Sequence, residues 1–278
     1  MFDCKNTVAV CGHRGERKHG IENTMAAIQY AVDLGVDMIE TDVRMSKDGD
    51  LFLMHNLNLE DLTSGSGYVS GHTYKEMKTI NAAIHGRSSD YFTVPKFAHV
   101  PLLDEFLDLA ADCPGLMLNI DIKDLPVCGR EEFAFEAADK VACMVAIRDM
   151  GDRTWINSFS GRIIERIFKE YGTIFHYHGF YPWNIMGEMD FPPCEICDMA
   201  CLLNWILQEN GETLKQHTIP CPDSWYDPLL KKGIMPLTVS FYPDFQNYLD
   251  AISYGSRVIM ADDPKYMLAR FRELGFHD

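Results

Sequence analysis

From one end to the other, the chain alternates short apolar, β-branched runs with longer segments of helical periodicity. This alternation predicts parallel strands covered by helices, because each parallel connection needs a crossover segment and that segment is usually a helix. Seven runs are predicted as strands, at residues 8–13, 36–43, 116–122, 154–159, 173–177, 234–240 and 257–260. An eighth strand is predicted near residues 199–203. Helices are predicted at residues 23–34, 102–111, 131–149, 162–171, 244–253 and 264–274.

Eight strand–helix units fit a chain of 278 residues, since a (β/α)₈ TIM barrel occupies roughly 250 residues. A doubly wound open sheet is the alternative, but the first strand is not followed by the G-x-G-x-x-G pattern of that fold. We therefore expect an α/β chain that forms a single (β/α)₈ barrel domain over residues 1–278.

One short connection interrupts the alternation. Residues 46–49, Ser-Lys-Asp-Gly, separate the second strand from another strand-like run at 51–55. So short a turn joins only antiparallel strands, so 51–55 is predicted as a hairpin arm. Residues 56–100 then form a long Gly-, Ser- and His-rich insertion, which we expect to lie over the barrel mouth because loops of this length are often functional.

Composition narrows the functional classes. The formal charge of −16 argues against a nucleic-acid binder, because phosphate backbones require a basic surface. No run approaches the roughly 18 apolar residues of a membrane span, and residues 1–6 lack the pattern of a signal peptide. Nine scattered cysteines are typical of reduced thiols, so a cytoplasmic location is expected.

Polar residues cluster at the ends of the predicted strands. Glu40 and Asp42 lie two apart, so both side chains point to the same face, and Asp121 and Lys123 repeat the arrangement on a later strand. The pair His13-Arg14 ends the first strand. His55 ends the hairpin arm. Since barrel active sites form at the C-terminal ends of the strands, these side chains are candidates for one site.

The chemistry of these groups suggests a metal-assisted reaction on phosphate. Three carboxylates brought together repel one another unless a cation neutralises them, and carboxylate oxygens favour Mg²⁺ or Ca²⁺. Two histidines, an arginine, a lysine and one such ion suit phosphodiester cleavage, in which the cations hold the phosphate and the histidines exchange protons.

The motifs together resemble the glycerophosphodiester phosphodiesterase family. The resemblance begins with His13-Arg14-Gly15, Glu22-Asn23-Thr24 and residues 35–43. It continues through His55, residues 101–107 and residues 119–123. It returns at Ser158-Phe159, residues 238–240 and the Ala-Asp-Asp-Pro of 261–264, and it is weak only across residues 179–230.

This resemblance implies a (β/α)₈ barrel that hydrolyses glycerophosphodiesters to an alcohol and glycerol 3-phosphate with one divalent cation, Mg²⁺ or Ca²⁺. By position, His13 and His55 match the family's acid/base pair. Glu40, Asp42 and Asp121 match its metal ligands, although Asp121 stands where the family usually has Glu. Arg14 and Lys123 match its phosphate contacts, and Glu22 matches an acidic position with a substrate-binding or supporting role. Asn56 stands where Asp usually follows the histidine.

Two other functions remain open at this point. One is a phospholipase D or lyase acting on lysophospholipids, which would need an apolar approach surface. The other is a non-catalytic phosphodiester-binding barrel, against which the presence of both histidines argues. A zinc or iron–sulfur site at Cys194, Cys197 and Cys201, with Cys221 or His217 as a fourth ligand, is a weaker interpretation than free thiols, because one C-x₂-C pair alone is a weak signal.

Overall fold

The structure is a computed structural model that describes residues 6–86, 88–89, 92–204, 220–239 and 244–278. Its strands are β1 (Ala9–His13), β2 (Met38–Met45), β3 (Leu51–Leu53), β4 (Met117–Ile122), β5 (Thr154–Asn157), β6 (His176–Tyr181), β7 (Met199–Leu202), β8 (Met235–Val239) and β9 (Val258–Ala261). Its helices are α1 (Met25–Leu34), α2 (Tyr74–Met77), α3 (Leu103–Ala111), α4 (Glu131–Ala146), α5 (Gly161–Tyr171), α6 (Pro193–Ile196), α7 (Tyr226–Leu230), α8 (Gln246–Tyr254) and α9 (Pro264–Glu273). Short 3₁₀ turns occur at Val69–Gly71, Gly151–Arg153, Gly172–Ile174, Trp183–Met186 and Asp223–Trp225.

The sheet closes on itself. Eight strands pair in parallel in the order β1, β9, β8, β7, β6, β5, β4, β2, and β1 also pairs with β2. This is the predicted (β/α)₈ barrel, and the closure excludes the open-sheet alternative. β3 pairs antiparallel with β2, with Val43 opposite Leu53, so the predicted hairpin arm is confirmed.

The strands that carry polar residues are buried along their whole length. Every residue of β1, β2 and β4 is buried, so Glu40, Asp42 and Asp121 lie within strands that are fully enclosed by the barrel. The apolar residues pack against the surrounding helices into one large core that includes Ile39, Ile120 and Phe106. This rigid support sets the positions of the polar strand ends.

Helix ends define the entry and exit of the chain around the site. Thr24 caps the start of α1 by accepting a hydrogen bond from the Ala27 N–H, and Gly35 ends that helix in the left-handed conformation. Asp263 caps α9 in the same way, through the Tyr266 N–H. The polar segment 13–23 is thereby placed between β1 and α1, and Asp262 lies directly before α9.

The insertion after β3 forms a small apolar cluster of its own. Leu59, Val69, Met77 and Ile80 pack against Phe52 of β3, which fixes this segment beside the barrel mouth. Leu62 from the same segment reaches the central pocket.

The predicted strand at 173–177 is displaced in the structure. Gly172–Ile174 form a 3₁₀ turn after α5, and β6 begins only at His176 and continues to Tyr181. Thr173 and Ile174 have the composition of a strand, but Gly172 stops α5 and the half-exposed Ile174 remains outside the core. For the predicted strand at 234–240, Met235–Val239 form β8, and Ser240 lies outside the described residues.

Within the described ranges, no helix combines the length and the apolar character needed to cross a membrane.

Candidate active site

A pocket of about 390 Å³ lies at the C-terminal ends of the barrel strands. Of the eight residues predicted for the site, seven line this pocket: His13, Arg14, Glu22, Glu40, His55, Asp121 and Lys123. Asp42 lies behind the lining, fully buried, where it contacts Arg14 and Lys123. The structure therefore brings all eight predicted side chains together.

Three carboxylates form a buried cluster at the base of the pocket. Glu40, Asp42 and Asp121 each offer an oxygen atom within 4.8 Å of the others. Asp42 and Asp121 lie side by side because they are register partners in the parallel β2–β4 pair. Burial, together with the nearby Asp42 charge, raises the pKa of Glu40 well above its ordinary value. The cluster therefore concentrates negative charge that needs a positive counterpart.

Two buried cations contact this cluster. Lys123 Nζ lies 2.5 Å from Asp121 Oδ2 and 3.0 Å from Asp42 Oδ1. Arg14 Nε lies 3.0 Å from Asp42 Oδ2. Burial disfavours the charged forms of both cations, but the surrounding carboxylates outweigh it and raise the pKa values of Lys123 and Arg14. The same two cations hold the pKa of Asp42 far below its usual range despite burial.

Asn23 positions Asp42. Its Nδ2 donates to Asp42 Oδ2 at 2.8 Å, and its Oδ1 accepts from the Thr41 hydroxyl at 2.8 Å. Asn23 reaches this place with a φ of 54°, in the left-handed region that asparagine tolerates better than most residues. Asn23 lies within the Glu-Asn-Thr motif, but its contact with Asp42 was not predicted from the sequence.

His13 is held by a carboxylate from the far end of the chain. Its Nδ1 lies 2.6 Å from Asp262 Oδ1, and its Nε2 lies 3.9 Å from Glu40 Oε2. Since a carboxylate only accepts hydrogen bonds, Nδ1 carries the proton and Nε2 faces the acidic cluster with its lone pair. Burial lowers the pKa of His13 to about 4, and the hydrogen bond to Asp262 partly opposes that effect.

A neutral partner orients His55. Asn56 Nδ2 donates to Asp61 Oδ2 at 3.1 Å, so its Oδ1 faces His55 Nδ1 at 2.7 Å and accepts from it. Arg44 also donates to the backbone carbonyl of His55 from Nε and Nη2, at 3.0 and 2.8 Å. Burial lowers the pKa of His55.

Glu22 contacts cations rather than the acidic cluster. It accepts from Arg14 Nη1 at 2.7 Å and lies 3.2 Å from Arg17 Nη2. Arg17 also lies 3.6 Å from Asp262, so it joins the two acidic residues at the pocket edge. The sequence analysis did not identify Arg17 or a role for Asp262. The position of Asp262 directly after β9 was the available signal for that residue.

The opposite half of the pocket is largely apolar. Phe159 and Phe180 stack with ring centroids 3.8 Å apart, and Lys123 Nζ lies 5.3 Å above the Phe159 ring. Leu62, Leu203, Val239 and Met260 extend this surface. The pocket thus has one charged half and one apolar half.

The cysteine motif forms no ligand cluster in the described part of the chain. Cys194, Cys197, Cys201 and Cys221 form no disulfide among the described residues, and the two groupings of possible ligands found there contain no cysteine. His217 lies outside the described residues. Burial raises the pKa of Cys197 and Cys201, which disfavours the thiolates that a metal would need.

The acidic cluster fits a hard divalent cation. Glu40, Asp42 and Asp121 supply oxygen donors only, which Mg²⁺ and Ca²⁺ prefer. The buried Oδ1 of Asp121 accepts no hydrogen bond from the described residues, and Asp42 Oδ1 has only the ion-pair contact with Lys123 Nζ at 3.0 Å, so both oxygens retain lone pairs for a ligand bond.

Comparison with known proteins gives a consistent result. The sequence profile of the glycerophosphoryl diester phosphodiesterase family matches residues 13–179. A glycerophosphodiester phosphodiesterase from Caldanaerobacter subterraneus subsp. tengcongensis is 38% identical over 275 residues, which cover 96% of this chain and 98% of the relative.

Solved structures share the fold. A glycerophosphoryl diester phosphodiesterase structure from Silicibacter pomeroyi is similar with a TM-score of 0.79 at 20% identity, covering 99% of this chain and 96% of the other. A phosphodiesterase from Oleispira antarctica, solved with the product sn-glycerol-3-phosphate, has a TM-score of 0.71 at 18% identity and covers 95% of this chain and 96% of its own. On the strength of the profile match and the full-length relative, this chain belongs to the glycerophosphoryl diester phosphodiesterase family.

Proposed function

We propose that the barrel pocket carries out the family reaction, the hydrolysis of glycerophosphodiesters to an alcohol and glycerol 3-phosphate. The observation that carries this proposal is the convergence of two histidines, two buried cations and three carboxylates on one pocket. A phosphodiester carries one negative charge and two ester oxygens, so it needs cationic contacts for the charge and a proton donor for the leaving group.

The family consists of metal-dependent phosphodiesterases, and we assign the metal site to Glu40, Asp42 and Asp121. A divalent cation bound there would neutralise the clustered carboxylates and polarise the phosphate. Oxygen-only donors favour Mg²⁺ or Ca²⁺ over Zn²⁺.

Arg14 and Lys123 are the proposed phosphate contacts. Both side chains line the pocket, and both lie against Asp42. A substrate phosphate beside them replaces part of the carboxylate contact with a new charge-assisted bond. Glu22 holds the Arg14 guanidinium from the other side, which fixes its direction.

His13 and His55 are the proposed proton-transfer pair. The ring Nδ1 of each histidine donates to an oxygen acceptor, Asp262 for His13 and Asn56 for His55, which leaves each Nε2 as the nitrogen available to substrate. One histidine accepts a proton on Nε2 from attacking water, or from a glycerol hydroxyl whose cyclic phosphate product water then opens to glycerol 3-phosphate. The other enters the reaction as an imidazolium and donates its Nε2 proton to the leaving alcohol oxygen.

The first test measures glycerol 3-phosphate release from glycerophosphocholine, glycerophosphoethanolamine and glycerophosphoinositol. Each reaction is run with Mg²⁺, with Ca²⁺ and with EDTA. We expect metal-dependent release by the native chain and at least a 100-fold loss in His13→Ala and in His55→Ala, since acid–base catalysis contributes typically 10²- to 10⁴-fold.

His72→Ala is the matched control, because the His72 ring bonds to the Tyr68 carbonyl and does not line the pocket. We expect it to retain native activity. Release of glycerol 3-phosphate that persists in EDTA would contradict the assigned metal site. Equal activity in His13→Ala and His72→Ala would contradict the catalytic role of His13.

The apolar half of the pocket supports a second substrate class, lysophospholipids. Phe159, Phe180 and Leu203 offer a surface that an aliphatic chain could cover. Comparing the hydrolysis of lysophosphatidylcholine with that of glycerophosphocholine decides between the two substrate classes. A kcat/KM for the lysolipid above that for the water-soluble diester would make the lysolipid the preferred substrate.

We also infer that residues 1–278 form one catalytic domain. The substrate is a small molecule, and we infer that the protein acts in the cytoplasm. The lack of a disulfide at each of the eight described cysteines supports a reducing compartment. Leu62 supports a role for the 56–100 insertion at the pocket mouth, because it lines the pocket.

A further inference from the structure

Three neutral polar side chains occupy the barrel interior beside the acidic cluster. Asn157 of β5 lines the pocket and is 2% exposed, whereas Asn119 of β4 and His178 of β6 are fully buried. Strand register places them together, because Asn157 is the partner of Asp121 on one side and of His178 on the other. Burial lowers the pKa of His178 to about 3, so its ring is neutral.

These side chains have hydrogen-bonding atoms that the protein leaves unused. Asn119 Oδ1 lies 3.2 Å from His178 Nδ1, which accounts for one contact. Among the described residues, however, Asn119 Nδ2, Asn157 Oδ1 and His178 Nε2 have no hydrogen-bond partner, although all three atoms are buried. Buried polar atoms without partners are rare and costly, and they are an accepted sign of a ligand or water contact.

The position of Asn157 within the pocket indicates what it meets. Its register partner Asp121 belongs to the acidic cluster, and Lys123 follows two residues later. On the other side lies β6, which carries the apolar pocket residue Phe180. A group attached to the bound phosphate therefore meets Asn157 between the charged half and the apolar half of the pocket.

A hydroxyl group matches this site chemically. A carboxamide both donates and accepts, and so does a hydroxyl, so the two pair in either orientation of the amide. A carboxylate here would meet the negative charge of Asp121 and an ammonium would meet the positive charge of Lys123, with no compensating charge from Asn157, Asn119 or His178. The site therefore suits a neutral hydroxyl rather than an ammonium or a carboxylate.

We propose that Asn157 determines specificity by binding a hydroxyl group of the substrate's glycerol moiety through its unpartnered Oδ1. This inference rests on the proposed function, because it takes the phosphate to be held at the charged half. A water molecule has the same chemistry, and the experiment below separates the two.

The test compares two monophosphates as ligands, glycerol 3-phosphate and n-propyl phosphate. Both have a three-carbon chain and the same charge, but only the first has hydroxyl groups. Affinities are measured by titration calorimetry with Mg²⁺ present, for the native chain, Asn157→Leu and the matched control Asn184→Leu, whose asparagine is exposed and does not line the pocket. Hydrolysis of glycerophosphocholine is measured in parallel.

We expect the native chain and Asn184→Leu to bind glycerol 3-phosphate roughly 2- to 12-fold more tightly than propyl phosphate, the range expected for one neutral hydrogen bond. In Asn157→Leu the ratio should fall close to one while the affinity for propyl phosphate stays within threefold. If Asn157→Leu fails to fold by circular dichroism, Asn157→Ala replaces it with the same expectation.

If the ratio of the two affinities is the same in the Asn157 variant as in the native chain, the proposal is overturned, and the buried polar atoms bind water instead. Equal affinity for both ligands in the native chain overturns it as well. If the native chain binds both phosphates with the expected ratio but does not hydrolyse glycerophosphocholine, the proposed function fails while the hydroxyl site stands. The two failures are therefore distinguishable.

Discussion

Replacing Asp262 with alanine should impair His13 through the tautomer of its ring. His13 Nδ1 lies 2.6 Å from Asp262 Oδ1 and 3.4 Å from Arg17 Nη1. The carboxylate accepts a proton from Nδ1, whereas the guanidinium offers one to it, so the two neighbours favour opposite tautomers. In Asp262→Ala, Arg17 still faces Nδ1, and the proton moves to Nε2, where the ring no longer acts as a base toward the pocket.

The size of the effect follows from the bond that is lost. A hydrogen bond to a charged group contributes about 1.5–3 kcal/mol. The Asp262 side chain is 32% exposed, so water replaces part of the interaction and the lower half of that range applies. About 1.5–2 kcal/mol corresponds to roughly a 10- to 30-fold loss in kcat.

The assay is steady-state release of glycerol 3-phosphate from glycerophosphocholine at saturating Mg²⁺, with kcat and KM determined separately. Asp263→Ala is the matched control, because the adjacent carboxylate caps α9 through the Tyr266 N–H. Its loss should lower the free energy of unfolding by about 1 kcal/mol and leave kcat unchanged.

A double variant examines the tautomer argument itself. Arg17→Leu combined with Asp262→Ala removes both competing neighbours, so kcat should exceed that of Asp262→Ala alone. A native kcat in Asp262→Ala would refute the role of the carboxylate. A double variant no faster than the single one would refute the tautomer explanation and leave only a loss of packing or charge.

Three further predictions follow from the same structure. Lys123→Met removes the cation between Asp42 and the substrate phosphate, so kcat/KM for glycerophosphocholine should fall at least 10-fold, whereas Lys123→Arg should retain part of it. Asn23→Gly keeps the left-handed backbone but loses the bond to Asp42, so Mg²⁺ affinity measured by calorimetry should weaken roughly 10-fold, and an unchanged affinity would contradict the positioning role. His277→Gln breaks a buried pair with Asp37. Burial alone would lower the pKa of His277, but the hydrogen bond to Asp37 outweighs it and raises that pKa. Burial alone would raise the pKa of Asp37, but the hydrogen bond to His277, together with those from Val10 and Asn6, outweighs it and lowers that pKa. Asp37 contributes its full share of stability above about pH 4, and His277 contributes its full share below about pH 6.5. The free energy of unfolding in urea should therefore differ most between variant and native chain near pH 5.5, and less at pH 8.5.

Much of the site was predictable because barrel geometry is regular. Residues two apart on a strand share a face, and parallel strands end at the same edge, so Glu40, Asp42 and Asp121 had to converge once the strands were recognised. The resemblance to the family motifs predicts the same three residues as metal ligands. The assigned roles remain predictions, which the variants above test.

The partners of those residues were harder to find. Asp262 lies 249 positions from His13 along the chain, and the two meet because β9 pairs with β1 when the barrel closes. Arg17 and Asn23 lie in an irregular segment whose left-handed turns no periodicity describes. The start of β6 was also misplaced, because the composition of Thr173 and Ile174 does not reveal that Gly172 ends α5 just before them.

Local pattern in the sequence determined the strand–helix alternation, the hairpin after β2 and the kinds of chemical group at each strand end, because strand periodicity and turn length depend on neighbouring residues. Tertiary structure decided which groups pair: Asp262 with His13, Asn23 with Asp42, and Asn119 with His178 inside the barrel. The physical reason is that hydrogen bonds and charge interactions act over a few ångströms in space, and only closure of the barrel brings residues from distant parts of the chain within that range.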